Sequence, residues 1–176
     1  MVEHRAGVLD PVMQALSLAG NFALLWVALG VLLSALLGGR PLFVFLLTAA
    51  TVWSADLGTL GLKAVVGRDR PFVTVPEADP LIRTTIGQSF PSGHAATSFA
   101  GAVVLTYLFP RGWPAFFALA AAVAFSRVYV GVHYPSDVLA GAGVGTSVGL
   151  LAVSAVRRRP RSGPALPRRE QDPTAG

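Results

Sequence analysis

The chain has no cysteine among its 176 residues. That absence excludes a disulfide framework, a thiolate metal site and a cysteine nucleophile. Charge is scarce as well: 13% of residues are Asp, Glu, Lys or Arg, against about 25% in a typical soluble domain. With 53% hydrophobic residues and a mean hydropathy of +0.59, a disordered chain, a coiled coil and an ordinary soluble domain are all ruled out. No acidic cluster resembles a Mg²⁺ site. No basic stripe with interleaved aromatics suits nucleic acid, and no internal repeat is present. The composition points to a membrane protein, and the length suits one domain.

The net charge of +5 sits almost entirely in one place. Residues 157–176 hold six arginines and two acids, which is +4 of the +5. This Pro/Arg/Gly segment follows a hydrophobic run. It is expected to be a disordered cytoplasmic tail that flanks a domain formed by residues 1–156.

Residues 11–39 carry no formal charge over 29 positions. A spanning helix needs about 20 apolar residues, because the rise is about 1.5 Å per residue and the hydrocarbon core about 30 Å thick. Residues 21–37, 41–63, 94–109, 113–126 (continuing toward 130) and 138–156 meet or approach that length. The expected fold is therefore all-α, with about five transmembrane helices. Ahead of them, Leu9, Val12, Met13 and Leu16 recur at helical spacing, with Asp10, Gln14 and Ser17 on other faces. That pattern predicts a short amphipathic helix at the membrane interface. Glu3 and Asp10 do not fit the basic leader of a secretory signal peptide, so none is expected. His4 is expected to be a solvated terminal residue.

Placing the arginine tail in the cytoplasm puts the loops around residues 64–91 and 127–136 together on the outer side. Arg68, Arg70 and Arg83 then lie outside, against the positive-inside tendency, and call for a reason. Three runs supply one. They are Lys63 to Pro71, then Pro91-Ser92-Gly93-His94, then Ser126-Arg127 with His133 and Asp137. Each lies at the end of a predicted helix on the same face.

Lys63, Arg70 and Arg127 form a cationic set suited to phosphate, since guanidinium offers a planar fork and ammonium a point charge. Ser92 and Gly93 precede a helix whose N-terminal N–H groups can hold anionic oxygens. His133 and Asp137 are four residues apart. The carboxylate can fix one imidazole nitrogen and leave the other as a nucleophile. His94 can pass a proton to a leaving oxygen. Outside these runs, Arg68 either touches a second phosphate or faces water. Asp56, two turns before Lys63, is expected to pair with one of the cations. Glu77, Asp79 and Arg83 belong to the loop between motifs. Trp26, Trp53, Trp113 and Tyr107 are expected to be belt or packing residues.

The pattern K-x6-R-P, P-S-G-H and S-R-x5-H-x3-D, met at all eleven specified positions between Lys63 and Asp137, resembles the type 2 phosphatidic acid phosphatase (PAP2) superfamily. The resemblance implies a PAP2/haloperoxidase-like helical core. It implies His133 as nucleophile, Asp137 as its orienter and His94 as general acid. Lys63, Arg70, Ser92, Gly93 and Arg127 would bind phosphoryl oxygens, and Ser126 would help to place Arg127. Three formal positive charges in the cage leave no requirement for a metal or another cofactor.

The expected activity is hydrolysis of a membrane lipid phosphate, with a polyprenyl (undecaprenyl-type) diphosphate or phosphate first. Phosphatidic acid or phosphatidylglycerophosphate is the alternative substrate. A vanadate-dependent oxidase and a non-catalytic lipid-phosphate-binding protein are the readings of other classes. The bilayer is the expected surroundings and nucleic acid is not a partner. The expected location is the plasma membrane, crossed several times, with the site on the extracytoplasmic face and the C-terminus in the cytoplasm.

Overall fold

The structure is a computed structural model that describes residues 7–20, 23–75, 79–82 and 87–158. His4, Glu77, Arg83 and the tail beyond Arg158 lie outside the described residues. Seven α-helices follow in order: α1 (Asp10–Ala19), α2 (Leu24–Leu36), α3 (Pro41–Val66), α4 (Pro71–Thr74), α5 (Gly93–Leu108), α6 (Trp113–Tyr129) and α7 (Pro135–Arg158). No strand occurs among the described residues.

Helix α5 is the centre of the bundle. Ten of its sixteen residues are buried, mostly Ala, Gly, Ser, Thr and Val. It packs on α7, α3, α6 and α2. The closest approach is to α7, where Gly141, Gly145 and Gly149 recur every four residues and are buried. A methyl at Gly141 or Gly145 would overlap the backbone carbonyl oxygen of Ser92 or Ala96, and one at Gly149 would lie 2.8 Å from Val103 Cβ. Small residues at this spacing allow two helix backbones to touch. On the other side of α5, Gly101 leaves room for the indole of Trp26. That indole is fully buried and donates from Nε1 to Ser98 Oγ at 3.2 Å. Trp26 is thus a packing residue, whereas Trp53 and Trp113 are exposed.

Among the described residues, three helical segments are long and apolar enough to cross a membrane, or four if the pair from Gly7 to Leu36, bent by 78°, counts as one span. The five spans expected from the sequence differ from this in two elements. Helix α2 has 13 residues and α5 has 16, about 20 and 24 Å at 1.5 Å per residue. Helix α5 keeps the 16-residue length expected for 94–109, because Ser92 caps its start and Phe109-Pro110 ends it. It is sheathed by its neighbours rather than by lipid. The segments that pass the test expose Leu57, Leu60, Leu139, Leu150 and Leu151.

The helix ends decide where the polar residues fall. Helix α3 stops at Gly67, whose left-handed φ of 62° lets its N–H bond the Lys63 carbonyl, so Lys63 sits in the last turn. Helix α6 ends in a turn, with Gly131 at φ 81°. There the N–H groups of Val132 and His133 both reach the Arg127 carbonyl at 3.2 Å. Helix α7 starts at Pro135, and Asp137 Oδ2 accepts from the Tyr134 N–H at 2.9 Å. An acid three residues into a helix, reaching back to the capping N–H, stabilises that start. Lys63, His94, Arg127, His133 and Asp137 therefore gather at one end of the bundle. Arg157 and Arg158 close α7 at the other.

Candidate active site

Asp137 is the most heavily bonded side chain at this end, and it is fully buried. Its Oδ1 pairs with Arg68 Nη1 at 2.9 Å. Its Oδ2 accepts from Ser89 Oγ at 2.5 Å and from the Tyr134 N–H, and faces His133 Nδ1 at 3.5 Å. The carboxylate thus addresses the Nδ1 side of a nearly buried imidazole, and Nε2 is the nitrogen on the far edge. His133 lies outside the spanning segments. Burial is the first cause that holds its pKa down to about 4, Arg70, Arg127 and Lys63 add to this, and the Asp137 contact opposes it. The ring is therefore neutral at neutral pH and keeps its lone pair.

Three cations surround this imidazole. Lys63 Nζ donates to the carbonyls of Gln88 and Pro91 at 3.1 and 2.7 Å. Arg70 is buried and donates from Nε to the Gly87 carbonyl at 2.9 Å and from Nη1 to the Val132 carbonyl at 3.2 Å. Arg127 is 2% exposed. Its Nη1 bonds the Ser17 hydroxyl, and its Nε has no hydrogen-bond partner among the described residues. These contacts fix the cations without neutralising them, because carbonyls and a hydroxyl carry no formal charge. Asp137 is the carboxylate in direct contact at this end among the ion pairs of the described residues, and it is spent on Arg68 and His133.

Ser92 is fully buried and caps α5, its Oγ accepting from the Ala95 N–H at 3.4 Å. Its own N–H bonds the Asp137 carbonyl at 2.9 Å, which ties the starts of α5 and α7 together. A side chain at Gly93 would lie 2.9 Å from Asp56 Oδ1. The glycine thus leaves room for the Asp56 carboxylate on α3. His94 follows one residue into α5, and its ring is anchored on the backbone carbonyl of Ser17.

Three further candidates, Arg68, Asp56 and Ser126, have defined contacts. Arg68, whose side chain stays 37% exposed, is held at the site by its neighbours. It bonds Asp137 and Ser136 Oγ at 2.7 Å and stacks 4.0 Å over the Tyr134 ring. Asp56 forms no ion pair with Lys63, because Lys63 is turned into the Gln88 and Pro91 carbonyls while the Asp56 carboxylate lies against Gly93. Ser126 donates to the Val123 carbonyl within α6 at 2.7 Å and does not reach the site.

Two site residues went unread in the sequence. Ser89 is fully buried on Asp137. It stands two positions before Pro91, close enough to the P-S-G-H run to have been included. Ser17 belongs to α1, where its place on the polar face of the predicted amphipathic helix was the available signal.

The sequence matches the PAP2 superfamily over residues 24–161. It is 36% identical over 137 residues to the decaprenylphosphoryl-5-phosphoribose phosphatase of Mycolicibacterium smegmatis, covering 78% of this chain and 73% of that one. It is 40% identical over 92 residues to the undecaprenyl-diphosphatase of Sulfolobus acidocaldarius, covering 52% and 45%. The chain spans less than half the length of several of the curated relatives it matches. Among solved structures, the transmembrane PAP2 type phosphatidylglycerolphosphate phosphatase from Bacillus subtilis superposes with a TM-score of 0.72 at 27% identity, covering 92% of this chain and 83% of that one. With that likeness, the apolar segments are those of a multi-pass integral membrane protein.

Proposed function

This chain belongs to the PAP2 superfamily, and from that premise we propose that it is a membrane lipid phosphate phosphatase working through a phosphohistidine. The observation that carries the reading is the pairing of His133 Nδ1 with a buried carboxylate beside three cations, Lys63, Arg70 and Arg127.

The steps follow from the geometry. His133 Nε2 attacks phosphorus as the bond from phosphorus to the lipid oxygen breaks, and His94, entering as the imidazolium once the anionic phosphate offsets the cations beside it, gives its proton to that oxygen and becomes neutral. Water then attacks the phosphohistidine, His94 takes a proton from it, and inorganic phosphate leaves. Asp137 holds the imidazole throughout and stabilises its charge. Lys63, Arg70, Arg127 and the start of α5 at Ser92 and Gly93 hold the equatorial oxygens, where the transition-state charge is spread. Arg127 Nε, buried without a partner among the described residues, is a donor available to one of them.

A lipid substrate suits a site at one end of a bundle whose outer faces are apolar. Its chain stays in the bilayer while its headgroup meets the cage. A site on the extracytoplasmic face and a cytoplasmic tail complete the reading, supported by arginines at the opposite end of α7 and the positive-inside tendency. A polyprenyl diphosphate or phosphate is the substrate we favour. The likeness to an undecaprenyl-diphosphatase and to a decaprenylphosphoryl-5-phosphoribose phosphatase supports it.

The test is phosphate release by detergent-purified protein with EDTA present. Undecaprenyl diphosphate, undecaprenyl phosphate, phosphatidic acid and phosphatidylglycerophosphate are compared, with His133→Ala beside each. Release that persists in EDTA and vanishes in the variant is the expected result. No release from any of the four lipids would favour a binding protein instead.

A further inference from the structure

Helix α1 is amphipathic in an inverted sense. Its polar residues Asp10, Gln14 and Ser17 lie at i, i+4 and i+7 and so share one face, and that face is turned to the protein. Asp10 Oδ1 accepts from Tyr129 OH at 2.8 Å, Gln14 Nε2 donates to the Leu81 carbonyl at 2.9 Å, and the Ser17 hydroxyl bonds Arg127. Val8, Leu9, Val12 and Leu18 point outward and are exposed. A helix whose polar face carries three separate bonds to the rest of the protein is held in register, not merely resting at the interface.

The deep end of that face lies in the candidate active site. Ser17 is fully buried. Its hydroxyl makes the one side-chain hydrogen bond that Arg127 forms among the described residues, and its backbone carbonyl anchors the His94 ring. Three residues on, Gly20 closes α1 and is buried. A methyl there would come within 2.8 Å of His94 Cδ2 and of Val123 Cγ1. The Gly20 backbone is right-handed, with φ −72°, so any residue can adopt its conformation. What demands glycine is the approach of the imidazole.

We propose that Ser17 is a positioning residue for the reaction: it sets the plane of the Arg127 guanidinium through its hydroxyl and the His94 ring through its carbonyl, with Gly20 giving that ring its room. The inference rests on the phosphatase reading above. It adds an element that the three motif runs do not contain, because α1 lies more than forty residues before Lys63. A guanidinium whose fork is pre-oriented loses less freedom when it binds a phosphoryl oxygen.

The experiment uses the full chain in detergent and compares wild type with Ser17→Ala, Ser17→Thr and Gly20→Ala. Turnover, inhibition by inorganic phosphate and thermal unfolding are followed for each. Ser17→Ala is expected to weaken phosphate inhibition about 10-fold, the scale of one hydrogen bond to a charged group, and Ser17→Thr to recover most of it. Gly20→Ala is expected to leave phosphate inhibition near wild type while kcat falls, more steeply for poor leaving groups than for good ones. A melting temperature that drops without either split would make α1 a structural brace and overturn the proposal. So would Ser17→Ala and Gly20→Ala within twofold of wild type on both readouts. A wild-type protein that releases no phosphate would instead sink the phosphatase reading itself.

Discussion

Ser89 Oγ donates a 2.5 Å hydrogen bond to the same Asp137 oxygen that faces His133 Nδ1. That oxygen is thereby held from two sides, by Ser89 and by the Tyr134 N–H, while Arg68 holds its twin. The orienting carboxylate is part of a buried network in which each bond limits the rotation of the next.

Ser89→Ala should therefore lower activity without abolishing it. Two of the three groups that donate to Asp137 remain, so a loss of about tenfold in kcat/KM is expected, the size of one buried hydrogen bond. Because the hydroxyl acts through Asp137 and His133, the loss should appear in kcat rather than KM. Steady-state kinetics on a short-chain lipid phosphate would check this, and an unchanged kcat would remove Ser89 from the network.

His94→Ala should discriminate between leaving groups. A proton is needed most where the departing oxygen is a poor leaving group, as in an alkyl phosphate, and least for an aryl phosphate. The variant is expected to lose at least about 100-fold on the first and markedly less on the second. Equal losses on both would place His94 in binding rather than in proton transfer.

The ionisation of His133 provides a test that needs no substrate. An ordinary histidine titrates near 6.5, whereas burial and three neighbouring cations hold this one to about 4. The sign is fixed by those causes: the ring stays neutral as pH falls through 6.5 and gains its proton only near 4. The chain has three histidines. ¹⁵N-imidazole spectra of wild type and His133→Ala would therefore identify its signal. A midpoint near 6.5 would mean that the imidazole is neither buried nor caged as described.

The chemistry was more legible in the sequence than the packing. Lys63, Arg70, His94, Arg127, His133 and Asp137 stood out because charged and titratable groups are rare in this chain and fall at the ends of apolar runs. Ser17 and Ser89 did not, since a serine in an amphipathic helix or before a proline has many ordinary reasons to be there. Asp56 and Lys63 share a helix face, but sharing a face does not fix a rotamer, and carbonyls of the 87–91 loop took the ammonium. Span counting assumed that each uncharged run meets lipid. Helix α5 is uncharged because it is enclosed by protein, and an enclosed helix needs no full membrane thickness. The glycines of α7 were visible at four-residue spacing, yet their partner was not.

Those glycines yield a stability prediction. A methyl at Gly145 would overlap the Ala96 carbonyl oxygen, a backbone atom that cannot rotate away. Gly145→Ala should push α7 from α5 and cost about 1–3 kcal/mol, the usual range for overpacking. Gly143→Ala, on the same helix, meets nothing within 4 Å and should be neutral or slightly stabilising, since alanine is the better helix former. Thermal unfolding of the two variants side by side would show the difference, and equal melting temperatures would contradict the close contact.

The absence of cysteine makes orientation directly measurable, because any introduced thiol is the only one present. Asp69 is exposed beside Arg68 at the site end of the bundle, and Arg158 is exposed at the other end of α7. Neither forms part of the cage. The arginines at residues 157–159 and 161 oppose translocation of that end, since basic residues close to a span favour the cytoplasmic side. Asp69→Cys in intact cells should react with a membrane-impermeant maleimide, whereas Arg158→Cys should react only after lysis. The site would then act on lipid in the outer leaflet of that membrane. The reverse labelling would place it on the cytoplasmic side, where the arginines around the cage would follow the positive-inside tendency and the tail would be the exception.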